Sequence, residues 1–326
     1  MKKFSIGKII GIAAAILVLI LLLCIAYIYF ILPNVPVQDV KVEVTPERVE
    51  RGKYLANHVT VCMDCHSTRD WSKFSGPPVP GTEGKGGEKF DQTMGFPGTF
   101  YSPNITPFSL AGWSDGEIYR AITSGVGKGN RPLFPVMPYS YYGQLDSDDI
   151  YSIIAYIRSL PAIEYKAPAS DADFPMNIIL HMIPGKAVPS VKPPKSDTLA
   201  YGQYLLKAAG CIECHTKDNK GQIIKELAFS GGREFQMPGG MLVSPNITPD
   251  KETGIGNWTR EDFTKRFKAY DLSTYVPPVV NKGDLMTIMP WTMYAGMDSA
   301  DLSSVYQALK VLKPINNKVV RWMPYK

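Results

Sequence analysis

The sequence predicts an all-α protein: two copies of one helical unit in tandem, behind an N-terminal transmembrane helix. Three observations predict it. A long apolar run opens the chain, and one set of landmarks occurs twice in the same order. Helix-start signals surround those landmarks, without a convincing set of alternating strands.

The apolar run, Ile9 to Leu32, holds 24 positions without a charge. At 1.5 Å per residue it reaches ~36 Å, enough to cross a ~30 Å hydrocarbon layer with some tilt. Lys2, Lys3 and Lys8 precede it, which keeps the N-terminus cytoplasmic. Tyr27, Tyr29 and Phe30 stand at the far end, where an aromatic belt lies. A cleaved signal peptide would have a shorter apolar region and a small-x-small site, which does not follow Leu32. Leu21-Leu22-Leu23 also lacks the small residues expected before a lipidated Cys24. Residues 1–35 are therefore expected to be an uncleaved, single-pass anchor in a cell inner membrane, with everything beyond Pro33 on the periplasmic side.

The repeat runs through the rest. Gly52-Lys-Tyr54-Leu55 returns as Gly202-Gln-Tyr204-Leu205, and Ser102-Pro-Asn-Ile-Thr-Pro107 as Ser244-Pro-Asn-Ile-Thr-Pro249. Gly112-Trp113-Ser114 returns as Asn257-Trp258-Thr259, and Met137-Pro138-Tyr139 as Met289-Pro290-Trp291. The offsets, between 142 and 152 residues, are nearly one value. This sets units at 36–165 and 196–326, joined by a linker at 166–195. Within the linker, Phe174 to Met182 is apolar and expected to pack on one of the units.

Helices follow from local signals. Thr45-Pro46 opens one as N-cap and N1, and Ser196 opens its counterpart. Ser114 to Glu117 and Thr259 to Asp262 read as capping boxes. Ser147 to Leu160 and Asp298 to Leu312 close the units, the first with Ile150, Ile153, Ile154 and Ile157 on one face. Gly (28) and Pro (27) are abundant enough for long loops, which a chain wrapped on a large rigid cofactor tolerates.

The net charge of +5 does not mark a nucleic-acid surface. Setting aside Lys2, Lys3 and Lys8 leaves 32 basic against 30 acidic residues outside the membrane.

Each unit carries Cys-x-x-Cys-His: Cys62-Met-Asp-Cys65-His66 and Cys211-Ile-Glu-Cys214-His215. Two thiols three positions apart on a helical turn can reach both vinyl groups of one haem edge, and the next residue aims an imidazole at the iron. A redox dithiol or a four-Cys zinc site needs no His after each pair, and zinc pairs are not set some 145 residues apart. Two covalently bound haem c groups are the expected cofactors. For the opposite axial position the repeat selects Met137 and Met289, standing 71 and 74 residues after His66 and His215. A thioether there favours ferrous iron and a high potential. His58 and His181 are possible ligands without a counterpart in the other unit. The Ser-Pro-Asn-Ile-Thr-Pro loop could supply the carbonyl that orients each histidine, or simply be a turn.

With these residues in hand, the chain resembles the dihaem or multihaem cytochrome c subunits of bacterial membrane-bound dehydrogenases for alcohols and gluconate. The resemblance rests on Cys211 to His215, Ala228-Phe-Ser-Gly-Gly-Arg-Glu-Phe235, Ser244 to Asp250, Thr253-Gly-Ile-Gly-Asn-Trp258 and the Met-Pro loops. It implies two class I cytochrome c domains, with His66 and Met137, and His215 and Met289, as axial pairs. Such subunits typically carry three haem units. The first unit here lacks the Thr-Gly-Ile-Gly stretch, and a Gly- and Lys-rich insertion is expected around Gly81 to Lys89.

The function expected is electron transfer without substrate chemistry, from a dehydrogenase or quinol-oxidising complex to an oxidase or soluble cytochrome. The competing class is a dihaem enzyme of peroxidase or thiosulfate-oxidising type, which needs one iron left open. No Walker loop, dinucleotide fingerprint or nucleophile elbow is present.

Overall fold

The computed structural model describes residues 5–325. Lys2 and Lys3, read above as the cytoplasmic flank, lie outside the described residues. Helix α1 (Ile6–Ile31) is apolar, wholly unburied, and long and apolar enough to cross a membrane. The chain that leaves it is fastened to the body. Asn130 donates to the Pro33 carbonyl at 2.9 Å, Arg120 to that of Val35 at 3.0 Å, and the Val42 N–H to Asp115 at 2.9 Å.

The first copy comprises α2 (Pro46–Tyr54), α3 (Cys62–Cys65), α4 (Pro107–Leu110), α5 (Asp115–Ser124), α6 (Tyr139–Tyr142) and α7 (Ser147–Ser159). Thr45 caps α2 with Pro46 at N1, and the helix runs on through a π turn over Leu55–Val59. The linker contributes α8 (Met176–Ile179) and a 3-10 turn over Leu180–Met182. The second copy comprises α9 (Thr198–Ala208), α10 (Cys211–Cys214), α11 (Arg260–Lys268), α12 (Trp291–Tyr294) and α13 (Ser299–Lys310). Both capping boxes close, Ser114 with Glu117 and Thr259 with Asp262. The cap of α9 is Asp197 rather than Ser196, its carboxylate taking the Ala200 N–H.

Helices do not account for everything. Short strands were not visible in the sequence, because two to four residues give no usable period. β1 (Lys89–Phe90) and β2 (Gly98–Tyr101) form a sheet with β3 (Asp171–Ala172). β4 (Asp218–Asn219) and β5 (Gln222–Ile223) make a small hairpin. β6 (Glu234–Met237) and β7 (Gly240–Val243) form a sheet with β8 (Trp322–Pro324). The two three-stranded sheets correspond: each middle strand runs directly into a Ser-Pro-Asn-Ile-Thr-Pro loop, and each third strand comes from chain beyond the closing helix. Gly86-Gly-Glu-Lys-Phe90 thus stands where Gly231-Gly-Arg-Glu-Phe235 stands in the second copy. The expected insertion at Gly81 to Lys89 is corrected accordingly. From His to Gly-Gly the first copy counts 20 residues against 16, so only four are extra.

Within each copy the entry helix packs on the closing helix, α2 on α7 and α9 on α13. Gly52 and Gly202 allow this approach, since a Cβ at either would overlap the carbonyl of Ser152 or Ser304. Both pairs feed one continuous core that includes Leu55, Ile150, Ile154, Leu205, Leu302 and Leu309.

The copies face each other through a reciprocal contact. Tyr54 donates to Asp301 at 2.8 Å, and Tyr204 donates to Asp149 at 2.8 Å. Each tyrosine oxygen also accepts the N–H at the start of the facing helix, from Asp298 and Asp146. Both aspartates are buried. Burial opposes charge on Asp149, but Arg51 and Lys192 together hold its carboxyl below its ordinary value.

The linker departs from expectation. Only Leu180 is buried in its apolar stretch, while Phe174 is 80% exposed and Met182 52%. His181 sits at the end of α1, its ring 5.0 Å from that of Tyr29 and its Nδ1 3.1 Å from the Leu32 carbonyl.

Candidate functional site

Each Cys-x-x-Cys forms a single helical turn, α3 or α10, and the backbone N–H of the following histidine closes on the first cysteine's carbonyl. Cys62, Cys65, Cys211 and Cys214 are all free. Cys62, Cys65 and Cys211 are half-buried and Cys214 is exposed; desolvation raises the half-buried thiols, Cys65 and Cys211 to about 12. Among the described residues no three His, Cys, Asp or Glu side chains converge to hold a metal ion, so the Cys pairs do not make a common zinc cluster.

The histidines are seated identically. His66 Nδ1–H donates to the Pro103 carbonyl at 2.8 Å, and His215 Nδ1–H to that of Pro245 at 2.9 Å. Both rings are buried, and burial lowers both pKa values, which keeps the imidazoles neutral. With Nδ1 protonated on a carbonyl, Nε2 holds the free lone pair that a metal needs.

The Ser-Pro-Asn-Ile-Thr-Pro loop builds this seat residue by residue. Its proline carbonyl receives the histidine. Its asparagine Nδ2 fastens the loop to chain beyond the closing helix, Asn104 to the Ile163 and Tyr165 carbonyls and Asn246 to that of Ile315. The asparagine Oδ1 takes the N–H and hydroxyl of the next threonine, Thr106 or Thr248. The serine oxygen accepts an N–H from the sheet, Glu88 to Ser102 and Arg233 to Ser244. Gly86 and Gly231, each at φ 74°, pass so close that a Cβ would overlap the loop backbone. Their N–H groups donate to the carbonyls of His66 and His215. The second pair stands in the Ala228 to Phe235 stretch quoted above, but its correspondence with Gly86-Gly87 was missed, although Gly-Gly-x-x-Phe repeats at an offset of 145.

Met137 and Met289 are half-buried and lie against the core. In each loop the N–H two residues on bonds back to the methionine carbonyl, Tyr139 at 2.7 Å and Trp291 at 2.8 Å. Pro138 and Pro290, at ψ 54° and 64°, centre inverse γ-turns. The second loop has an additional clamp. Ser75, from the first copy, donates to the Met289 carbonyl at 2.6 Å and accepts the Trp291 N–H at 3.2 Å. His58 lies between the copies, its Nδ1 2.8 Å from the Met293 carbonyl, and His181 lies by α1.

This donor set suits a haem: paired free thiols, a neutral imidazole with Nε2 free, and an unpaired Tyr139 hydroxyl buried just after Met137-Pro138. Comparison with known proteins agrees. The chain is 27% identical over 236 residues to the cytochrome c subunit of a quinone alcohol dehydrogenase from Gluconobacter oxydans, covering 68% of this chain and 46% of that one. It is 28% identical over 239 residues to the gluconate 2-dehydrogenase cytochrome c subunit of Pantoea cypripedii, covering 68% and 51%. Its homologues are cytochrome c subunits of dehydrogenases. A "diheme cytochrome c-type" protein of Cereibacter sphaeroides is also similar, 30% identical over 200 residues, covering 58% of this chain and 64% of that one. This chain spans about half the length of the dehydrogenase cytochrome c subunits it matches. No protein-family model matches it.

Proposed function

We propose that the protein is a membrane-anchored dihaem cytochrome c that carries electrons and has no substrate chemistry of its own. Residues 1–35 are its anchor, and 36–165 and 196–326 its class I cytochrome c units, joined by 166–195. Cys62 and Cys65 would hold one haem c through thioethers, with His66 and Met137 as its iron ligands. Cys211 and Cys214 would hold the other, with His215 and Met289. Each haem supplies a reversible one-electron couple.

The observation that carries this reading is the duplicated histidine seat. A proline carbonyl fixes each ring and its tautomer, and strengthens Nε2 as a donor. The γ-turn after each methionine limits how far its thioether can wander. Met137 and Met289, each completing its iron's ligands, would leave no open position for peroxide. The anchor holds the units at the extracytoplasmic face of the inner membrane. There they accept electrons from a dehydrogenase or quinol and pass them to an oxidase or soluble cytochrome. The names of the relatives favour a dehydrogenase as donor.

Absorption spectroscopy of purified protein tests the ligation. Met137→Ala and Met289→Ala should each remove part of the weak far-red Met–iron band and lower the potential of one haem, and the double variant should lose the band. A wild-type protein without that band, or with peroxide turnover matching its electron transfer, would overturn the reading.

A further inference from the structure

We propose that the linker stretch Phe174–Ile183 is a second membrane contact, lying in the headgroup layer beside the end of α1 and setting the tilt of the haem-binding body on the bilayer. The inference rests on the reading of α1 as a membrane span. Its first support is an apolar surface that the rest of the chain leaves uncovered. Phe174, Ile179, Met182 and Ile183 are all exposed, while Leu180 between them is buried, and the Asp173 N–H on the Pro97 carbonyl at 3.0 Å fastens the start of the stretch to the body. Its second support is position. His181 rests on Tyr29 and reaches the Leu32 carbonyl, so the segment lies level with the last turn of α1. Tyr29 is two residues from the end of α1 at Ile31, which is ~3 Å along the axis at 1.5 Å per residue. The headgroup layer on each side of a bilayer is roughly 5–8 Å deep. A segment packed at that height meets lipid, and a short helix with one apolar face out is what such a layer accepts.

The third support is rigidity. Asn130 and Arg120 pin Pro33 and Val35, so the body cannot swing freely about the end of α1. Where α1 stands, the linker stretch follows. The occupant is therefore the bilayer surface rather than a soluble partner.

Nitroxide labels on the full chain in phosphatidylcholine–phosphatidylglycerol vesicles test this, each site read against its own nitrogen-purged reference so that relaxation by the haem iron cancels. Native Cys24 is the label site within α1. Ile179→Cys, Met182→Cys and, as the aqueous reference, Lys220→Cys are labelled in a Cys24→Ser background. Collision with oxygen and with a water-soluble nickel chelate reports depth. The labels at 179 and 182 should shift from the Lys220 value toward the Cys24 value: more oxygen, less nickel. If they match Lys220 while Cys24 reads as hydrocarbon, the inference fails and the anchor stands. Labels shielded from both reagents would mean that protein covers the patch, and would also overturn it. A Cys24 label as aqueous as Lys220 would remove the anchor reading, and this inference with it.

Discussion

In the first copy the residue before the cysteine turn is Val61, at φ 45°; in the second it is Gly210, at φ 62°. Both copies bend the same way, but only glycine does so without strain, since a β-branched residue is badly suited to the left-handed region. The same contrast recurs around Asp149 and Asp301. Arg51 and Lys192 hold the first, whereas Tyr201 stands in the place of Arg51 beside the second, with Lys195 completing the set. The acid inside each Cys-x-x-Cys also differs. Asp64 is buried against Arg69 at 3.0 Å, and burial lifts it to about 6 despite that partner. Glu213 is half-open and accepts the Tyr141 hydroxyl from the other copy at 2.5 Å. The histidine seats, by contrast, agree to 0.1 Å. The geometry that seats each histidine is kept in both copies, while the charges that surround it have diverged.

The largest test of this contrast is Arg51→Met, which strips the bidentate partner from a buried carboxylate still held by Lys192 and Tyr204 and should cost about 1.5–3 kcal/mol. Tyr201→Phe, its counterpart, should cost about 1 kcal/mol, the worth of an ordinary hydrogen bond. Denaturant unfolding of both variants checks the difference. Because Asp149 has a depressed pKa, its contribution is fully present above its unfolded value near ~4 and is lost as pH falls through the folded value. The Arg51→Met penalty should therefore shrink in acid.

Gly52→Ala and Gly202→Ala should each cost about 1–3 kcal/mol by forcing the paired helices apart. Equal losses in unfolding midpoint would support the equivalence of the two helix pairs, and a large inequality would break it. Gly210→Val should cost roughly 1–2 kcal/mol of left-handed strain. Val61→Gly should change stability by less than about 1 kcal/mol, because relief of that strain offsets the lost burial of a half-covered valine.

The smallest effect on stability belongs to Ser75→Gly. Ser75 is itself at φ 70°, so glycine keeps the backbone and deletes only the hydroxyl. Its signature should be spectroscopic: a weakened far-red Met–iron band from the second unit alone, with the first unchanged. Among the described residues the Met137 carbonyl accepts only the Tyr139 N–H, so nothing comparable is expected there.

Much of the site was legible because its parts are short and local. Cys-x-x-Cys-His, Ser-Pro-Asn-Ile-Thr-Pro and Met-Pro each fall within six residues, and duplication made them stand out. Capping boxes are equally local and were read correctly. What was hidden depends on distant pairing. Gly86-Gly87 looked like an insertion because its partner is a loop reached only in space. The two-residue strands carry no period. The Tyr54–Asp301 and Tyr204–Asp149 bonds join residues 247 and 55 positions apart, which no local pattern announces. The apolar linker was expected to be buried because hydropathy alone does not distinguish a core from another apolar surface.

The paired tyrosine–aspartate bonds have one more implication. Tyr54 reaches Asp301 and Tyr204 reaches Asp149, so each copy carries both the donor and the acceptor of the bond it makes with its neighbour. That is the defining property of an isologous, two-fold surface, in which one patch complements itself. The tandem chain is in this respect a homodimer written on one polypeptide, with the linker fixing the stoichiometry that free subunits would have to reach by concentration.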